Sequence, residues 1–243
     1  MIRKLMSSPR SVRNEKDSKR NFEIQRIETF SDGVFAFAVT LLIVSLEVPK
    51  SFEELLITMR GFFAFGISFL LLVMIWNEQH RFFRNYGLED IWTITLNGTL
   101  LFIVLFYVYP LKFLFSLMFS EQIYGAHNSP FTIKQSQVPL LMMIYAQGFM
   151  AIYSLFFLMY LHASRNATKL GLTPVEKFDC RTGMYRILIM VIAGLISFIT
   201  ALILNNDKAG IAGFAYFLIG PAIAIFFARR MRVKRKLFQH VKP

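Results

Sequence analysis

Arg26-Ile27-Glu28-Thr29-Phe30-Ser31-Asp32-Gly33-Val34-Phe35-Ala36-Phe37-Ala38-Val39-Thr40-Leu41-Leu42 opens the first long apolar run of the chain. An arginine, a serine and an aspartate stand at the mouth of a segment long enough to cross a bilayer. Ionisable groups at membrane depth are costly and face a protein interior or a water-filled path. This segment is therefore the first place to look for function.

Working outward, the same pattern recurs. Only 17% of the 243 residues are charged, against about 25% in a soluble domain, and the charges gather between long apolar runs. Six such runs lie at 29–48, 54–79, 89–119, 138–163, 183–204 and 209–228. Each approaches or exceeds the roughly 20 residues that a helix needs to span the hydrocarbon. Strands of a membrane barrel would be about ten residues of strict alternation, which is not the pattern here. The runs predict an all-α integral membrane fold with six transmembrane helices.

Basic residues set the orientation. Of the 27 Lys and Arg, all but Lys50, Arg60, Lys112, Lys134 and Lys208 fall before the first run, after the last, or around the connections between the second and third and the fourth and fifth, with Arg186 one turn into the fifth run. Both termini are predicted to be cytoplasmic in a multi-pass protein of the cell membrane. The expected division is a cytoplasmic segment over 1–25, a membrane domain over 26–230 and a basic tail over 231–243. The net charge of +12 hugs membrane boundaries, where it meets anionic lipid, so nucleic acid is not the expected partner. Cys180 is the only cysteine, which excludes an intrachain disulfide. The first run is too long for a signal-peptide core and is read as a retained helix.

Catalysis finds no support. His80, His127, His162 and His240 are scattered and form no metal-ligand pattern, and neither a nucleophile elbow nor a phosphate-binding glycine loop occurs. The chain reads as a non-enzyme without cofactor. Pro110 and Lys112 in the third run read as a kink followed by a lysine snorkelling to the outer surface.

Within the first run, Arg26 and Asp32 are six residues apart, roughly 240° round a helix, and do not simply pair. Two readings stay open. Ser31 or Asp32 caps the helix with Arg26 as a topology signal, or Arg26, Ser31, Asp32, His80 and Asn97 form one polar network at the inner end of three helices. Phe37, Leu41 and Val44 share a stripe by i, i+4, i+7 spacing, flanked by Gly33 and Thr40. Such a stripe serves equally as lipid-facing or core surface.

Arg26-x-x-x-Phe30-Ser31-Asp32 and the Val-Phe-Ala-x-Ala-x-Thr-Leu-Leu run after it resemble the signature of the transmembrane protein 175 family, the endolysosomal potassium channels and their prokaryotic relatives. Trp76, His80-Arg81-Phe82 and Leu96-Asn97 with Pro110 also resemble that family, and one six-helix unit matches its prokaryotic form. The resemblance implies a homotetramer whose first helices line a central potassium-selective pore, with potassium ions and membrane lipid as partners. It implies a hydrophobic constriction at Phe37, Leu41 and Val44 and a selectivity role for Thr40. It also implies that Arg26, Phe30, Ser31 and Asp32 hold an inner network with His80 and Asn97. No metal beyond potassium in transit is implied. The family's first layer is typically isoleucine or leucine, and Phe37 departs from it. The competing reading is a proton-linked or other secondary transporter in which Asp32 titrates.

Overall fold

The structure is a computed structural model that describes residues 26–44, 49–120, 133–204 and 206–238. The segment 1–25, most of the connection between the third and fourth runs (with His127) and the end of the tail (with His240) lie outside the described residues, as does the side chain of Val44. The described residues form seven α-helices: α1 Arg26–Val44, α2 Phe52–Arg60, α3 Phe62–Tyr86, α4 Ile91–Met118, α5 Val138–Arg165, α6 Pro174–Ile203 and α7 Ile219–Phe238. A 3₁₀ turn at Gln135–Gln137 leads into α5, and a longer 3₁₀ segment, Asn206–Leu218, leads into α7. Five helical stretches are long and apolar enough to cross a membrane, beginning at Phe62, Ile91, Gln135, Pro174 and Lys208. The shorter α1 carries Arg26, Glu28 and Asp32 in its first two turns.

Several boundaries differ from the expected ones. The second run divides at Gly61 into α2 and α3, and α3 continues to Tyr86. It continues because Phe82, Phe83 and Tyr86 carry the buried face one turn further, until Gly87 at φ 54 closes the helix in the left-handed region. The polar quartet Asn77 to His80 is thus interior to α3, not its end. α6 starts nine residues before the fifth run because Thr173 and Glu176 form a reciprocal capping box ahead of Pro174. α7 runs into the basic tail to Phe238, held by Arg230, whose guanidinium lies 4.1 Å above the Phe178 ring, and by Lys234 at 2.6 Å from Asp179.

α1, α3 and α4 pack on one another, while α5, α6 and the Asn206–Leu218 segment form a second group that α4 joins through α5. That joint is close. A Cβ on Gly148 of α5 would sit 2.0 Å from the Tyr107 ring of α4. Tyr107 donates to the Tyr145 carbonyl at 2.7 Å, and Tyr145 in turn donates to the Pro110 carbonyl at 2.6 Å. α4 runs unbroken through Pro110.

Candidate functional site: helix α1 and its anchors

α1 has two unlike faces. Ser31, Phe35, Ala38 and Leu42, spaced i, i+4, i+7, i+11, are all buried against α3 and α4. Phe37 is 56% exposed, and Thr40 is exposed beside it. At about 100° per residue, Thr40 stands roughly opposite the centre of the buried face, whereas Leu41 stands about a quarter turn from it. Leu41 is accordingly half-buried and packs against the core. The Thr40 hydroxyl donates to the Phe37 carbonyl at 2.7 Å. Its proton is committed, so the oxygen offers only lone pairs outward.

The buried face is fastened near its start. Ser31 donates to the Ile27 carbonyl at 2.7 Å and accepts from Asn97 Nδ2 of α4 at 2.9 Å. Asn97 Oδ1 accepts from Gln79 Nε2 of α3 at 3.0 Å. Ser31, Gln79 and Asn97 are all buried, so this chain of bonds pairs groups with no access to solvent, while Gln79 Oε1 finds no partner among the described residues. A second line runs along the edge of the same contact. Asp32 accepts from the Trp76 indole at 2.7 Å, Trp76 stacks on His80 with ring centroids 5.4 Å apart, and His80 Nδ1 lies 2.8 Å from Glu28 Oε1.

Of the expected network, Ser31 and Asn97 therefore meet directly. Asp32 and His80 are joined through Trp76 and end on Glu28. Arg26 and Phe30 are exposed, and Arg26 makes no ion pair with the described residues. Gln79 and Glu28 were missed at the sequence level. Gln79 sits in a polar quartet that read as a helix end, and Glu28 lies inside the arginine-to-serine frame, where the motif leaves its positions unspecified.

Three further polar contacts were also missed. Glu78 of α3 is paired with Arg186 of α6 through both carboxylate oxygens, at 2.6 and 2.7 Å, and accepts from the Tyr160 hydroxyl of α5 at 2.8 Å. Arg186 read as a topology charge, but its side chain is only 14% exposed. Lys112 does not stand free at the surface: its Nζ donates to the Leu42 carbonyl of α1 at 3.1 Å. Asp90, just ahead of α4, lies 2.7 Å from His162 and accepts from Thr93. Partial burial raises the Asp90 carboxyl, yet the Thr93 hydroxyl and the His162 ring outweigh it and hold it below its ordinary value of 3.8. Among the described residues, no group of three His, Cys, Asp or Glu is arranged to hold a metal ion.

With this geometry in view, the likeness to known proteins has a structural meaning. Residues 26–107, which hold α1, its anchors and most of α4, match the family described as endosomal/lysosomal potassium channel TMEM175. A potassium channel of Marivirga tractuosa is 39% identical over 237 residues, covering 93% of this chain and 95% of that one. The crystal structure of a variant of the potassium channel MtTMEM175, bound to a nanobody–MBP fusion protein, superposes with a TM-score of 0.77 at 37% identity, over 88% of this chain and 96% of that one. A TMEM175 homolog from Chamaesiphon minutus shares the fold, with a TM-score of 0.50 at 24% identity over 84% of this chain and 96% of that one. These relatives are channels, not enzymes. The 39% identity to one of them over nearly the full length of both, together with the family match that begins at α1, places this chain in the TMEM175 potassium channel family.

Proposed function

We propose that this chain is a passive potassium channel of the cell membrane, active as a homotetramer whose α1 helices surround a central pore. In this reading α1 joins the five other spans to make six, and both termini are cytoplasmic. Residues 26–230 form the membrane unit between a cytoplasmic segment at 1–25 and a basic tail from 231. The observation that carries the proposal is the division of α1 into a fastened buried face and an apolar face carrying Phe37 and Thr40 that no described part of the same chain covers. An exposed hydroxyl beside Phe37, deep in the apolar part of α1, suits a water- and ion-facing position better than a lipid-facing one.

Phe37, Leu41 and Val44 form the hydrophobic constriction, which dewets when narrow and conducts when widened. Four phenylalanines at one level close such a passage unless their rings turn aside, so Phe37 is the natural moving part of the gate. Thr40 contributes selectivity, since its hydroxyl oxygen presents lone pairs to a partly dehydrated cation, and potassium loses water at lower cost than sodium. Ser31, Asp32, His80 and Asn97 hold the inner end of α1, and Arg26 and Phe30 stand exposed beside them.

Potassium and sodium flux into liposomes containing the purified protein tests this reading. Non-saturating flux that prefers potassium is expected. Saturable, proton-coupled flux that is uncoupled in Asp32→Asn would instead establish the secondary transporter.

A further inference from the structure

The inner end of α1 is fastened by Ser31 and Asp32, but a helix held at one end only is free to swing at the other. Near its far end, Leu42 is fully buried, and its carbonyl accepts from Lys112 Nζ at 3.1 Å. An ammonium within a membrane helix ordinarily snorkels toward headgroups and water. Lys112 is instead half-buried and spends its charge on a backbone oxygen of the neighbouring helix. A charged donor on a carbonyl oxygen makes a stronger bond than a neutral one, so this contact is a firm tie between the two helices.

The turn of α4 that carries Lys112 is itself tied down. Tyr145 of α5 donates to the Pro110 carbonyl at 2.6 Å, and Tyr107 donates to the Tyr145 carbonyl at 2.7 Å. Gly148 lets the Tyr107 ring reach the α5 backbone, because any Cβ there would overlap the ring. A continuous path therefore runs from α5 through Tyr145, Pro110 and Lys112 to the carbonyl adjoining Leu41.

We propose that Lys112 is a positioning residue for conduction. By gripping the Leu42 carbonyl, it fixes the rotation of the α1 turn that carries Leu41, and so sets the width of the constriction. The proposal rests on the reading that α1 lines the pore. Removing the grip lets that turn rotate, which alters both potassium flux and the preference for potassium over sodium.

Lys112→Met and Lys112→Arg, reconstituted into liposomes, test it, with Thr40→Ala and Leu41→Ala measured beside them. Lys112→Met keeps the length and loses the donor. It is expected to change potassium flux or the potassium-to-sodium ratio by about threefold or more, the size typical of a remote coupling residue. Lys112→Arg keeps a charged donor and is expected to stay within about twofold of the unmodified protein. A folded Lys112→Met protein with flux and ratio unchanged overturns the proposal, as does a Lys112→Arg protein as altered as Lys112→Met. If Lys112→Met does not assemble, Lys112→Gln takes its place, since its neutral and shorter side chain falls short of the carbonyl. The same threefold change is expected, and unchanged transport again overturns the proposal. If Thr40→Ala and Leu41→Ala also leave transport unchanged, the pore reading of α1 falls. If those two alter it and Lys112→Met does not, the Lys112 inference falls alone.

Discussion

Glu78 and Arg186 illustrate how single residues in this chain answer to partners far away in sequence. They meet through two short bonds across 108 positions, with Tyr160 as a third member, and both side chains are largely buried. Removing one member strands the other charge in an apolar surrounding. Glu78→Gln is expected to cost about 3–5 kcal/mol, seen as a clear fall in thermal unfolding temperature in detergent. Glu78→Leu combined with Arg186→Met and Tyr160→Phe removes all the stranded groups and is expected to recover much of that loss. An equal loss in the single and the triple variant would show that packing, rather than the unpaired charge, dominates. Thr40 belongs to this scale as well. One hydrogen bond to a charged group is worth about 1.5–3 kcal/mol, so Thr40→Ala is expected to lower the potassium-to-sodium ratio by about tenfold, or about 1.4 kcal/mol. A ratio unchanged in bi-ionic flux measurements would remove Thr40 from the selectivity mechanism.

At the level of whole elements, the junction between the start of α4 and the end of α5 is held by Asp90, Thr93 and His162. The folded Asp90 carboxyl is held below its ordinary value of 3.8, so its charged form is the one that folding favours. Its contribution is complete above the ordinary value and is lost as pH falls through the lower folded value. The stability gap between the unmodified protein and Asp90→Asn should therefore be open at about pH 5 and close below about pH 3.8. A gap that persists at lower pH would assign the effect to shape rather than charge. The capping box ahead of Pro174 shows which element ends are legible in advance. Thr173 and Glu176 at the required spacing sit in plain view in the sequence, and a search for caps rather than for hydropathy alone finds the true start of α6. The extension of α3 to Tyr86 is less visible, because His80, Arg81, Arg84 and Asn85 mask an apolar face that is revealed only by its packing on Tyr160.

For the molecule as a whole, the exposed face of α1 and the groove beside it between α1 and α3, lined by Asp32, Phe35, Val39, Leu72 and Trp76, are the surfaces that the proposed homotetramer would use. Native mass measurement in lipid nanodiscs is expected to give four copies of the 28.2 kDa chain. A monomer that still conducts potassium selectively would move the pathway inside a single six-helix unit.

Hydropathy and helical spacing determined the all-helical membrane class of fold and the approximate place of five spans. They do so because a chain in hydrocarbon must satisfy its backbone locally, and helices of sufficient length leave a mark readable residue by residue. The meeting of Ser31 with Asn97 was legible too, since both are polar groups at similar depth on apolar helices. What only the tertiary structure decided is the rotation and pairing of those helices. That Gln79 bridges to Asn97, that Glu78 finds Arg186, that Leu41 is half-turned into the core and that Lys112 grips Leu42 all depend on which faces meet. A shift of one residue turns a helix by about 100°, so partners follow from packing and not from order along the chain.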